Sequence, residues 1–234
     1  VDGDGDGVVN ELSVGDVTAI TIYQAGQPRP VTKVELANLG IIDPLSNAEL
    51  DQIAAGAQIF DEIGCASCHT PRLLLEDPIY SEPSKHNDFR PTSELALKAF
   101  EHAGLDDKGT IHFDLTKDMP DNILQMNDGS KVHLGNFLAD LDGRAVVELF
   151  SDLRRHSMGK ELAESIDAAG TGADTFITKE LWGVGSTAPY LHDGRATTLL
   201  EAIGFHGGES KQARAKFRAL SNEDQEAVIA YMNN

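Results

Sequence analysis

The stretch Cys65-Ala66-Ser67-Cys68-His69 constrains this chain more than any other. A Cys-x-x-Cys-His run is the signature of covalent haem attachment. Its two thiols add across the two vinyl groups of one porphyrin, and the histidine that follows ligates iron from the proximal side. A chain carrying it has to fold around a flat apolar ring. Zinc is one alternative, but a tetrahedral site usually draws on two separated ligand pairs, and both cysteines of the chain lie in this motif. A thioredoxin-like dithiol is the other, and it calls for a strand ahead of the motif in a βαβ context. The residues before Cys65 read as helix instead. With both cysteines committed to haem, no disulfide is expected within the chain.

That upstream helix is marked by local rules. Ser46-Asn47-Ala48-Glu49 forms a capping box, with Leu45 and Leu50 placed as a hydrophobic staple. Leu50, Ile53, Ala54, Ala57 and Phe60 then keep helical spacing on one face. Gly64 ends the helix and delivers the chain to Cys65. The last helix, begun by Ser221 and carrying Val228, Tyr231 and Met232 on one side, is expected to cross and pack against it. The expected fold class is therefore mainly α, a cytochrome c-like haem domain over 46–234. An insertion at about 72–145 is expected to be a small β-hairpin with loops. Pro78, Pro83 and Pro91 make its first part loop-like, and Glu94–His102 reads as a short helix. Ile111, Phe113 and Leu115 alternate with polar residues, as do Val132 and Leu134, which suggests the hairpin.

Residues 1–45 read as a separate acidic leader. Asp2, Asp4 and Asp6 alternate with glycine as at positions 1, 3 and 5 of an EF-hand loop, and Asn10 falls at position 9. Position 12 is Ser13 rather than the bidentate glutamate, and Glu11 comes early. A weakened calcium loop and a flexible leader both fit. The 234-residue chain carries 38 acidic against 19 basic side chains, a formal charge of −19. Such a surface argues against nucleic acid and anionic membranes, both polyanions. It suits a redox partner protein with a basic surface, or serves solubility. Against this background Lys211, Arg214, Lys216 and Arg218 form a basic cluster. It reads as a solvated face offsetting nearby acids, with a docking patch as the alternative. No apolar run approaches the ~20 residues of a membrane span. Attachment of haem to cysteine belongs to exported compartments, so a periplasmic or secreted location is expected. No signal peptide is present at the start, and the chain is expected to be a mature or truncated product.

The distal ligand has to come from eight histidines and four methionines. Thr198-Leu199-Leu200-Glu201 is another capping box, and from it Leu199, Ala202, Ile203 and His206 fall on one helical face. His206 thus points into a core that is expected to hold an iron, and Gly207-Gly208 stops the helix behind it. Met158 is the rival, since thioether ligation is common in cytochromes c, but it sits in a turn-like stretch with no helix to aim it. Gap-filling packing is its other role. His192, in His192-Asp193-Gly194, has the simpler reading of a hydrogen-bonded turn histidine.

Three further stretches carry a family resemblance. They are Phe150-Ser151-Asp152-Leu153-Arg154-Arg155-His156-Ser157-Met158-Gly159, Leu181-Trp182-Gly183-Val184-Gly185 with Ala188-Pro189-Tyr190-Leu191-His192-Asp193-Gly194-Arg195, and Glu201-Ala202-Ile203 with Phe205-His206-Gly207-Gly208-Glu209. With the haem motif they resemble, in order, the bacterial di-haem oxidoreductase family, often labelled thiol oxidoreductases. That family is similar to the di-haem cytochrome c peroxidases and to the enzyme that matures methylamine dehydrogenase. In those relatives the ligand to the C-terminal haem, Met or Tyr, follows a Pro-Tyr-x-His-Asp-Gly turn. Its counterpart lies fourteen residues on from His192, at His206. The resemblance further implies that His192 lies near the haem without ligating it, and that Arg195 pairs with a propionate. Trp182 joins them as a haem-side residue.

Family enzymes carry two haem motifs, and this chain has one. A second haem, if present, is implied to lie upstream of Val1, with the acidic leader as linker. The expected function is one-electron transfer through one covalent haem c, alone or as the relay half of a di-haem oxidoreductase. The alternatives are a peroxidase-like enzyme activating peroxide, and a calcium-gated interaction module with a structural haem.

Overall fold

The computed structural model describes residues 14–82, 94–102, 109–117, 123–167 and 170–234. Asp2, Asp4 and Asp6, the expected calcium ligands, lie outside the described residues. Seven α-helices and nine short strands are present among the described residues. The expectation of a mainly helical, cytochrome c-like fold is therefore wrong: helix and antiparallel strand share the chain, and the strands form several separate small sheets. Two helices, α1 (Val14–Ala25) and α2 (Lys33–Asn38), also stand where an acidic leader was expected.

The chain divides into two compact units. One takes the described residues of 1–29 and 74–146, the other those of 30–73 and 147–234. The first contains α1, most of β1 (Leu73–Leu75), then β2 (Ile79–Glu82), α4 (Glu94–His102), β3 (Ile111–Asp114), β4 (Ile123–Gln125), β5 (Lys131–His133) and β6 (Leu138–Ala139). The helix expected over Glu94–His102 is α4. The two alternating segments expected to form one hairpin are both strands, but they pair elsewhere. β3 is antiparallel to β2, with Tyr80 opposite Phe113 and their rings 5.0 Å apart. β5 pairs with β4 across a turn in which Met126 N donates to the Ser130 carbonyl and Gly129 is left-handed. A turn-forming Asn-Asp-Gly run beside β5 closes the short loop first, and short closures cost less entropy.

The second unit holds the haem motif. Its principal packing is α3 (Asn47–Glu62) against α7 (Asn222–Met232). The capping box expected at the start of α3 forms: Glu49 N donates to Ser46 Oγ, and Ser46 N to the Glu49 carboxylate. Ser221 caps α7 in the expected way. Leu50 is 38% exposed, so the inward face of α3 is centred on Gly56 and Phe60 rather than on the full apolar stripe. Gly56 is required by the crossing, because a Cβ there would stand 2.0 Å from the Ala227 carbonyl oxygen. Phe60, Ile63, Phe217 and Val228 form the core, with Cys65 and Ala66 packed on it. β7 (Ala145–Val147) falls mostly in the first unit, and the remaining elements of the second are β8 (Arg155–Ser157) paired with β9 (Thr175–Ile177), α5 (Leu199–Phe205) and α6 (Lys211–Ala219). Among the described residues, no helix is long and apolar enough to cross a membrane.

Candidate functional site

Gly64, at φ +94°, turns the chain out of α3 in a conformation that suits only glycine. A short 3-10 turn over Cys65–Ser67 follows. Cys68 N and His69 N both donate to the Cys65 carbonyl, closing the motif into a compact loop. Burial pushes the Cys65 thiol up to about 11, and Cys68 is raised too, again mainly by burial. An activated redox dithiol needs the opposite, a depressed thiol pKa. The two thiols are not joined as a disulfide.

The His69 and His206 rings lie side by side, 6.4 Å between centroids and inclined by 47°. His69 Nδ1 donates to the Phe150 carbonyl at 3.0 Å, and His206 Nδ1 to the Ala202 carbonyl at 2.8 Å. A carbonyl only accepts, so in each ring Nδ1 carries the proton and Nε2 is left to a metal. Burial lowers both pKa values, although the carbonyl bonds oppose it, and the rings are held neutral. This is the hydrogen bonding that fixes the tautomer of a metal-binding histidine. A metal–imidazole bond is about 2 Å and a ring nitrogen lies about 1 Å from its centroid, so two imidazoles on opposite sides of one metal are about 6 Å apart. The 6.4 Å between the two rings matches that spacing. Among the described residues no three His, Cys, Asp or Glu side chains converge as for a tetrahedral metal site.

The two imidazoles arrive by different routes. His206 caps the C-terminal end of α5, whose start is fixed by the expected Thr198–Glu201 capping box. Leu199 and Ala202 are buried on the inward face. Gly207 and Gly208 then run so close to the 157–159 segment that a Cβ on Gly208 would lie 2.1 Å from the Ser157 carbonyl oxygen. On the proximal side a strap, Phe150–Leu153, is laid over the motif. Ser151 N donates to the Thr70 carbonyl and Asp152 N to the Cys68 carbonyl. Phe150 and Leu153 adopt positive φ, 56° and 57°, which aims the Phe150 carbonyl at His69. Ser151, fully buried, locks the strap by donating to the Thr178 carbonyl and accepting from Leu153 N.

His156 ties strap and distal loop together. Its Nε2 lies 2.9 Å from the Asp152 carboxylate and its Nδ1 2.8 Å from that of Glu209. Both carboxylates only accept, so the ring is doubly protonated here. The Glu209 and Asp152 bonds raise its pKa accordingly.

The remaining expected residues stand elsewhere. Met158 is half-buried, its sulfur accepting from Ser210 Oγ and its N–H donating to the Asp174 carbonyl. His192 is exposed and stacks on Phe176 at 4.6 Å. The Arg195 guanidinium binds the Asp193 carboxylate and the Glu161 carbonyl and lies over the Phe205 ring. Trp182 Nε1 donates to the Glu148 carbonyl at 2.7 Å. The structure thus unites Cys65, Cys68, His69 and His206 in one site. Sequence reasoning missed Phe150, Ser151, Asp152 and His156 as positioning residues. All four lie in the family-like run 150–159, whose candidate haem ligand is Met158.

The site so defined is a Cys-x-x-Cys-His motif whose histidine lies beside a second imidazole. Residues 129–234 match the family model described as "Di-haem oxidoreductase, putative peroxidase". This is the family that the three later motifs resemble, and all three lie in the matched segment. The matched segment is less than half of the chain, and the family's description is consistent with haem-based redox activity. No curated protein and no solved structure matches the chain.

Proposed function

We propose that this chain is a c-type cytochrome domain. It holds one haem through Cys65 and Cys68, ligated by His69 and His206, and transfers single electrons as the relay half of a di-haem oxidoreductase. The observation that carries the reading is the pair of imidazoles 6.4 Å apart, each with Nδ1 on a backbone carbonyl. The haem supplies the ferric/ferrous couple. The protein's contribution is to fix two neutral imidazoles before any electron moves, so that little has to reorganise between oxidation states. The strap and α5 hold those rings from opposite sides.

We place the domain in an exported compartment, where cysteine-linked haem is made, with a redox partner of basic surface. The test is attachment: haem surviving acid-acetone extraction, a c-type pyridine haemochrome, and their loss in Cys65→Ala/Cys68→Ala. Freely extracted haem overturns the reading. The peroxidase in the family description supports a second reading, in which the iron is open to peroxide. A high-spin ferric spectrum favours that one, and a low-spin spectrum favours electron transfer.

A further inference from the structure

α5 is only seven residues long, yet it ends on the imidazole that the proposed function assigns to iron. The last carbonyls of a helix have no partner within it, and those of Ala202, Ile203 and Gly204 are engaged here. The Ala202 carbonyl accepts from His206 Nδ1, and the Ile203 carbonyl accepts from His206 N. The Gly204 carbonyl accepts twice, from Arg214 Nη1 at 3.1 Å and Arg218 Nη2 at 3.0 Å. Both arginines come from α6, one turn apart on the same face. Arg214 is 16% exposed and its Nη1 also reaches the Glu161 carboxylate at 3.3 Å. Arg214 and Arg218 therefore do not stand free over an acidic surface. The two cations converge on the carbonyl two residues before His206. There they complement the negative end of the helix dipole with charge-assisted hydrogen bonds.

We propose that Arg214 and Arg218 are positioning residues for the distal ligand: a two-guanidinium clamp on Gly204 that fixes the end of α5 and keeps the His206 ring on the iron. The idea rests on the assignment of His206 as that ligand. Lys216 supplies the control, because it lies on the same helix with the same charge but donates to the Glu62 carbonyl at the end of α3.

The experiment compares the haem-loaded protein with Arg214→Met/Arg218→Met, Arg214→Lys/Arg218→Lys, Lys216→Met and His206→Ala. The readouts are the ferric high-spin fraction and the rate of cyanide uptake. The double Met variant is expected to take up cyanide about tenfold faster, a factor corresponding to about 1.4 kcal/mol, and to show a high-spin component. The double Lys variant should recover most of the low-spin signal, because an ammonium can still donate to Gly204. Lys216→Met should match the parent. Arg218 is exposed, so Arg218→Met alone gives a milder version should the double variant not fold.

If His206→Ala opens the iron but the Met variants do not, the clamp is refuted and the ligand assignment stands. If Lys216→Met opens the iron as far as the double Met variant does, the effect belongs to α6 as a whole and the clamp is again refuted. If His206→Ala itself changes nothing, the ligand assignment has failed.

Discussion

Replacing Ser151 with alanine strikes the proximal side without touching a haem-binding side chain. Its hydroxyl is fully buried, donating to Thr178 O at 2.7 Å and accepting from Leu153 N at 2.9 Å. A net hydrogen bond is worth about 1 kcal/mol, and a buried partner left unpaired costs about 1–3 kcal/mol. Leu153 is 59% exposed and Thr178 half-buried, so water replaces part of the lost bonding and the expected loss is about 1–3 kcal/mol. Against it stand Phe150 and Leu153 at positive φ, each costing about 1–2 kcal/mol for a residue with a Cβ. The strain in the strap is thus of the same size as the restraint that the serine provides. Without the serine the strap is expected to relax, and the Phe150 carbonyl to leave His69 Nδ1. An imidazole that loses this acceptor becomes a poorer donor to ferric iron, so the reduction potential should rise. Urea unfolding and a spectroelectrochemical titration measure the two effects. A stability loss below about 0.5 kcal/mol, within the range of an ordinary surface substitution, together with an unchanged potential would refute the reasoning.

Gly56→Ala should destabilise the second unit. Alanine gains about 1 kcal/mol in helix propensity, but its Cβ meets α7 backbone at 2.0 and 2.5 Å, and overpacking of about 1–3 kcal/mol or more outweighs the gain. A higher melting temperature in that variant contradicts the crossing. His156 predicts a pH dependence. Its folded pKa is raised, chiefly by Glu209 and then by Asp152, so its contribution is full below the unfolded value near 6.5 and fades as pH rises through the folded value. Asp152 and Glu209 are lowered, and their contributions fade as pH falls through their folded values. The parent should therefore lose stability on the alkaline side relative to its optimum, and His156→Ala should flatten that limb. Parallel curves for the two proteins would remove the clasp from the account.

Local rules were legible in the sequence. Ser46, Thr198 and Ser221 cap helices where their side chains and the following acids say they should, because a cap is decided within four residues. The placement of His206 near His69 was legible too, through the apolar spacing behind it. The strand content was not. β6 is two residues long and most of the other strands three, too short for a period of two to be read. β2 finds its partner β3 some thirty residues away, past two prolines. Nor could the strap be read, because Phe and Leu are seldom left-handed and nothing in the run Phe150–Leu153 signals it. The basic helix showed its charges but not the carbonyls they serve, since those lie at the ends of other helices.

The central claim is that His69 and His206 share one iron, and a paired substitution tests it most directly. The ferric spectrum of the parent should be low-spin, without the weak near-infrared band of a methionine–iron bond. His206→Ala should turn it high-spin and ready to bind cyanide, while Met158→Ala should leave it nearly unchanged. If Met158→Ala opens the iron and His206→Ala does not, the thioether is the ligand and the bis-histidine account fails.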